Sequence, residues 1–490
     1  MSLARTSLII FIMRISNVGL MMIGPILLAR LLPVHEFGLY REFLVYSGVL
    51  MTISAFGLSQ GLMYLAPANS GHTWALVRQT VILTATTGLL VTAVAAVANV
   101  LSGGELLGSF GAAVLAYTLL YINIDFWEHL WLAQKKPALA FYYTSGRLAL
   151  RLTTVAIAAL LTRNIATIIQ ALLALEALRL LASAIAWKLL KEKDKGSPHA
   201  GLWAAQLRYC LPIGMSLVVT TINGYIGSIL ITVSLGTVML AQYAVGTYAV
   251  PVLFMLRNSV SDALLPHMAS SEPSADGTPS LDLWHKSNTL FAIMLIPLGL
   301  LLARFAELIV VVLFSSRYLP AVIVFQVYLL SILTHLVDFG VPLRLLGKTS
   351  VYLYSTVAGI VVNVALLALL LPKIGMLGAI FAVLGAEVVS MTVHTIVLSR
   401  LTRIRPAALL GLRSIGRVAA ACAVPLPLLA IPVGSSAYDI PLATLLSILY
   451  VLAFVLLLWR IGTPEVREML GMAWTRLPPF ITRRHTRMRS

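Results

Sequence analysis

The chain has 490 residues, of which 59% are hydrophobic and only 11% charged, with a mean hydropathy of +0.94. A water-soluble fold of that composition would expose much of its apolar surface, and a spanning β-barrel would alternate apolar with polar residues, whereas this sequence runs apolar for about 20 residues at a time. The net charge of +17, from 35 Lys and Arg against 18 Asp and Glu, is accounted for by membrane topology rather than by nucleic acid.

In chain order, the first span is predicted at Ser7 to Leu32. Met1 to Arg5 ahead of an apolar run resembles a signal peptide, but Arg14 interrupts the run and no small-residue cleavage site follows, so the segment reads as an uncleaved first helix. Spans follow at Phe37 to Ala66, Thr73 to Leu101, Leu107 to Ala133, Ala138 to Leu161 and Ile165 to Leu190. After a basic linker, Lys188 to Leu207, they resume at Gln206 to Leu235, Val238 to Leu265, Asn288 to Phe314, Pro320 to Leu343, Val351 to Leu371 and Met376 to Ser399. A final pair, Val418 to Val433 and Ile440 to Trp459, makes an all-α membrane protein of about fourteen transmembrane helices, with twelve as the fallback. Thr463-Pro464-Glu465 then opens a short amphipathic helix, and the arginine-rich end from Arg483 is drawn to anionic membrane lipids. Cys210 and Cys422 lie in apolar segments without metal or disulfide spacing and read as packing residues; neither a metal nor a cofactor is expected.

Basic residues orient the spans. Lys135, Lys136, Lys188 to Lys195, Arg208, Lys286, Arg344, Lys348 and Arg400 to Arg413 fall on one side, against Arg163, Arg317 and Lys373 on the other. This asymmetry places both termini in the cytoplasm and requires an even number of spans. The linker divides an N-terminal six-helix lobe, 1–195, from a C-terminal six-helix lobe, 196–400; an additional helix pair occupies 401–462 and an amphipathic, polybasic cytoplasmic tail 463–490. Phe37-Gly38-Leu39-Tyr40 after Leu32 falls in register with Leu240-Ala241-Gln242-Tyr243 after Leu235, and Ile165 to Glu176 aligns with Met376 to Glu387. The lobes therefore read as repeats related by an axis along the membrane normal, with a substrate path between them.

Leu28-Ala29-Arg30-Leu31-Leu32-Pro33-Val34-His35-Glu36-Phe37-Gly38-Leu39-Tyr40, then Phe56-Gly57-Leu58-Ser59-Gln60-Gly61, is similar to the start of bacterial polysaccharide and O-antigen flippases. Asn363 and the run Leu369-Leu370-Leu371-Pro372-Lys373-Ile374-Gly375-Met376-Leu377-Gly378-Ala379-Ile380 resemble that family's eleventh-to-twelfth helix turn. The same superfamily holds multidrug and toxin extruders and lipid II flippases. The resemblance implies two six-helix lobes around a cavity open alternately to each side of the bacterial inner membrane. It also implies a polyprenyl-diphosphate-linked oligosaccharide as the substrate. The alternatives are a cation-coupled multidrug extruder of the same superfamily and a membrane-embedded glycan polymerase or ligase. No enzyme signature is visible, and the outer connections are too short for the large catalytic loop of the latter.

A lipid-linked diphosphate needs cations at membrane depth, and arginine's planar fork suits phosphate. A charge at the bilayer centre costs at least ~2.5 kcal/mol, so arginines within spans are candidates for function. They are Arg14, Arg41, Arg147, Arg151 and Arg257. Arg147 and Arg151 are the best pair: their spacing puts both on one helix face, with Tyr143 one turn before, at depths of roughly 13 and 20 Å. Neutralisation by Asp125 and Glu128, and by Glu176, is the competing role, although Arg179 stands one turn from Glu176. Arg14 and Arg257 also lie where long side chains snorkel to the interface, and Arg304 has Glu307 as a local partner. Glu387, mid-helix without an arginine in its own or the preceding span, is a candidate for coupling to a proton or sodium ion, or else makes a polar contact to Asn363.

Overall fold

The computed structural model describes residues 19–122, 126–190, 200–248, 250, 253–254, 257, 261, 282–346 and 348–461. Arg14, Asp125, residues 191–199 of the linker, residues 262–281 and the tail from 463 lie outside the described residues. Regular structure among the described residues is helical, and nine of their helices are long and apolar enough to cross a membrane, with Gly19–Leu31 and Ala321–Thr334 as shorter apolar helices. Each of the fourteen predicted spans contains described helix. By contact the chain forms two compact units, 1–244 with 313–315, and 245–312 with 316–490.

The first unit holds α1 (Gly19–Leu31), α2 (Val34–Ala55), α3 (Leu58–Ala68), α4 (Thr73–Leu101), α5 (Gly111–Ile122), α6 (Phe126–Ala133), α7 (Pro137–Thr162), α8 (Ile165–Leu190), α9 (Ala200–Leu235) and most of α10 (Thr237–Gly246). The second predicted span is interrupted where Phe56 and Gly57 both take left-handed backbone, which divides α2 from α3. Helix α2 packs on α4, α5, α8 and α9. A Cβ at Gly38 would lie 2.1 Å from the Thr237 carbonyl oxygen, so only glycine lets the start of α2 approach the start of α10 this closely. Hydroxyls inside the spans bond back to their own helix, as Thr80 to Leu76, Thr84 to Thr80 and Thr118 to Val114, which satisfies them without water. Buried Gln206 Nε2 donates to Thr80 Oγ1 at 2.7 Å, and Gln79 Nε2 to the Leu202 carbonyl at 3.2 Å, tying the start of α9 to α4.

The second unit holds α11 (Asp282–Arg304), α12 (Ala306–Leu313), α13 (Ala321–Tyr328), α14 (Ser331–Thr334), α15 (Gly340–Leu345), α16 (Thr349–Ile374), α17 (Met376–Thr402), α18 (Pro406–Leu409), α19 (Leu412–Ala423), α20 (Leu426–Leu429) and α21 (Ile440–Ile461). Helices α16 and α17 form a hairpin closed at Gly375, and a Cβ at Gly378 would lie 2.5 Å from the Leu370 backbone. The tenth predicted span, Pro320 to Leu343, is three short helices with irregular backbone between them. The thirteenth is also divided, into α19 and α20, because Pro425 and Pro427 withdraw two backbone donors. Arg304 answers that break: its guanidinium donates to the Leu429 carbonyl and, at 2.8 Å, to that of Ile431, rather than pairing with Glu307 as expected. Val418, Ala421 and Cys422 of α19 and Phe454 and Leu458 of α21 share a buried core with Phe291 and Leu295 of α11, so the final helix pair is part of this unit's interior. Cys210 and Cys422 are both buried and free.

Candidate functional site

The i, i+4 spacing that sets Arg147 and Arg151 on one face of α7 meets the same spacing of Tyr117 and Tyr121 on α5. The Arg151 guanidinium lies 5.7 Å from the centre of the Tyr117 ring, and that of Arg147 lies 5.8 Å from Tyr121 and 6.0 Å from Tyr143. Arg179, on α8, reaches Tyr121 at 6.0 Å. The two tyrosine rings stack 5.9 Å apart, and Phe43 of α2 sets its ring edge-on to Tyr117 at 5.3 Å. An aromatic face attracts a desolvated cation by about 2 kcal/mol, so tyrosine here offsets charge that lipid cannot solvate.

The acids divide unevenly among these arginines. Glu176, fully buried, is ion-paired with Arg179 on its own helix, and Glu128 Oε2 stands 4.0 Å from Arg147. Of the two roles open to Glu176, the structure therefore gives it Arg179. Among the described residues no carboxylate lies within ion-pair distance of Arg151, and the Tyr117 ring faces it. The Arg147 side chain keeps 14% of its surface exposed, and Arg151 is half-buried. Arg41 is half-buried on α2 of the same unit. Tyr117 and Tyr121 were missed at the sequence level, where the signal was their helical spacing within an apolar span.

In the second unit, Arg257 and Glu387, expected to have separate roles, both stand next to His335. Glu387 Oε2 accepts hydrogen bonds from Ser331 Oγ and Thr334 Oγ1, both at 2.6 Å, rather than from Asn363, and His335 Nδ1 lies 3.7 Å away. The His335 ring stacks on Phe254 with centroids 3.7 Å apart, and its Nδ1 is 2.9 Å from the Ser331 carbonyl oxygen. Arg257 donates a long hydrogen bond, 3.4 Å, to the His335 carbonyl. These groups sit where the tenth span is broken. Backbone freed at such a break has to be satisfied by protein at membrane depth, and here it is: Trp284 Nε1 donates to the Asp338 carbonyl at 2.6 Å, Asn288 Oδ1 accepts from the Asp338 amide, and Asp338 Oδ1 accepts from the Gly340 amide. The polar run Ser331, Thr334, His335 in an apolar span was the available sequence signal.

The helix order is that of an integral membrane protein, and the fold is shared with two solved structures. One is a lipid II flippase MurJ in an inward closed conformation, at a TM-score of 0.62 and 14% identity over 93% of this chain and 99% of that one. The other is an inward-facing multidrug resistance MATE family transporter of the MOP superfamily, at a TM-score of 0.52 and 13% identity over 84% of this chain and 96% of that one. No curated protein matches the sequence. The profile of the polysaccharide biosynthesis protein family matches residues 3–272, more than half of the chain, and the protein belongs to that family.

Proposed function

We propose that the protein is a flippase, not an enzyme, that moves a polyprenyl-diphosphate-linked oligosaccharide from the inner to the outer leaflet of the bacterial inner membrane by alternating access. Its working parts are two six-helix lobes, 1–195 and 196–400, with the helix pair at 401–462 and a polybasic tail at 463–490. Arg147 and Arg151 contact the diphosphate, and Arg14, Arg41 and Arg257 are the further cations on its path. Arg151 carries the reading: it is an intramembrane arginine held by tyrosine faces, with no carboxylate in ion-pair distance among the described residues. A cation so placed retains its charge for an anionic ligand, and its fork matches a phosphate.

Arg151→Ala should abolish surface glycan while the protein level is maintained, and Arg151→Lys should restore only part, because lysine keeps the charge and loses the fork. Normal surface glycan in Arg151→Ala would sink the assignment. Both termini are placed in the cytoplasm. Cysteines introduced at Ser197 and Ser490, in a background lacking Cys210 and Cys422, should resist an impermeant thiol reagent in intact cells, and labelling of either reverses the topology.

A further inference from the structure

We infer that the second unit holds a proton-exchange site at Glu387, with His335 as its companion acid–base group and Arg257 as the cation that balances the ionised carboxylate. Proton binding stands on the geometry alone; its role in transport rests on the flippase reading.

Three observations converge. Irregular backbone at membrane depth occurs where it is buried in protein or lines a cavity, and residues 335–339 supply such a break between α14 and α15. Glu387 and His335 lie 3.7 Å apart at that break with 20% and 23% of their side-chain surfaces exposed, so neither is sealed inside the helix packing. Intramembrane acids and histidines in contact are the usual components of proton relays. Arg257 is close enough for its charge to act on both groups, and Asp338 acts on His335. Of the titratable groups on the neighbouring elements, Tyr328 lies on α13, Tyr354 and Lys373 near opposite ends of α16, and His394 two turns along α17 from Glu387.

A proton fits this site better than a metal ion. Glu387 Oε2 lies 2.6 Å from two hydroxyl oxygens, and no cluster of three metal-ligating side chains occurs among the described residues. In the exchange step an O–H bond forms at Glu387 as the N–H bond of protonated His335, or an O–H bond of hydronium, breaks, and the donor is left neutral. The cluster gains no electrons and one positive charge when the donor is hydronium.

The test uses the full chain in lipid nanodiscs, with infrared difference spectra recorded between acid and alkaline buffers. A protonated-carboxyl band should appear that Glu387→Gln lacks, and its midpoint should be displaced in His335→Gln and in Thr334→Val. If Glu387→Gln does not fold, Thr334→Val decides: a displaced midpoint supports the site, an undisplaced one overturns it. A band unchanged in Glu387→Gln, or one suppressed by sodium at constant ionic strength, also overturns it. In cells, Glu387→Gln should lose surface glycan and accumulate its lipid-linked precursor, and normal glycan in that variant overturns the coupling role. If the wild-type protein itself exports no glycan, the flippase reading fails while the carboxyl band still stands.

Discussion

In the first unit, three arginines share two stacked tyrosines and two carboxylates; in the second, one carboxylate is held by two hydroxyls from a single short helix. The contrast follows from what each ion needs. A guanidinium is diffuse and accepts a π face from any residue at helical spacing, so regular helices α5 and α7 suffice. A carboxylate needs donors aimed at its oxygens, and Ser331 and Thr334 provide them from a one-turn helix just before the chain leaves helical structure. Aromatic faces also leave the cation's full charge in place, whereas directional donors disperse the anion's charge. A surplus of positive charge can therefore persist in the first unit for a ligand.

The largest effect should come from breaking the ion pair of the fully buried Glu176 in the first cluster. Arg179→Ala leaves Glu176 charged and unpaired, and should cost about 3 to 5 kcal/mol in thermal unfolding in detergent, most of it recovered in Arg179→Met with Glu176→Met. Arg151→Ala strands no carboxylate and should cost no more than about 2 kcal/mol; equal losses in the two single variants would erase the distinction drawn between these arginines. In the second unit, Ser331→Ala and Thr334→Val each remove one donor from Glu387 and should each cost about 1 to 3 kcal/mol by the same assay. The smallest effect is expected at Tyr117. Its hydroxyl has no hydrogen-bond partner among the described residues, so Tyr117→Phe should leave the melting temperature unchanged or slightly raised. Tyr117→Leu, which removes the face under Arg151, should lower it by the equivalent of about 1 to 2 kcal/mol.

The regular helices were legible because lipid permits few alternatives. Thr73–Leu101 and Ile165–Leu190 coincide with their predicted spans residue for residue. The interruptions were passed over because a hydropathy window averages across Phe56-Gly57 and across residues 329–339, where leucine, isoleucine and valine offset Ser331, Thr334, His335 and Asp338. The i, i+3 relation of Glu176 and Arg179 could be read from spacing, and it decided which arginine is neutralised. Arg304 could not be assigned that way, since its partners are backbone carbonyls bared by a proline break more than a hundred residues later. Tyr117 and Tyr121 were hidden for another reason: hydropathy counts tyrosine with the apolar residues, so the groups that hold the cations look like ordinary span.

The tight turn at Gly375 between α16 and α17, packed closely at Gly378, bears on how the protein is made. Two long apolar helices joined this closely are suited to enter the bilayer together as a hairpin, late in synthesis, carrying Glu387 with them. Ser331 and Thr334 are translated more than fifty residues earlier, so the donors for that carboxyl are already in the membrane when it arrives. The order of residues along the chain thus spares the insertion machinery a lone acid in lipid, a state that costs several kcal/mol on insertion scales (about 2.5 to 3.5).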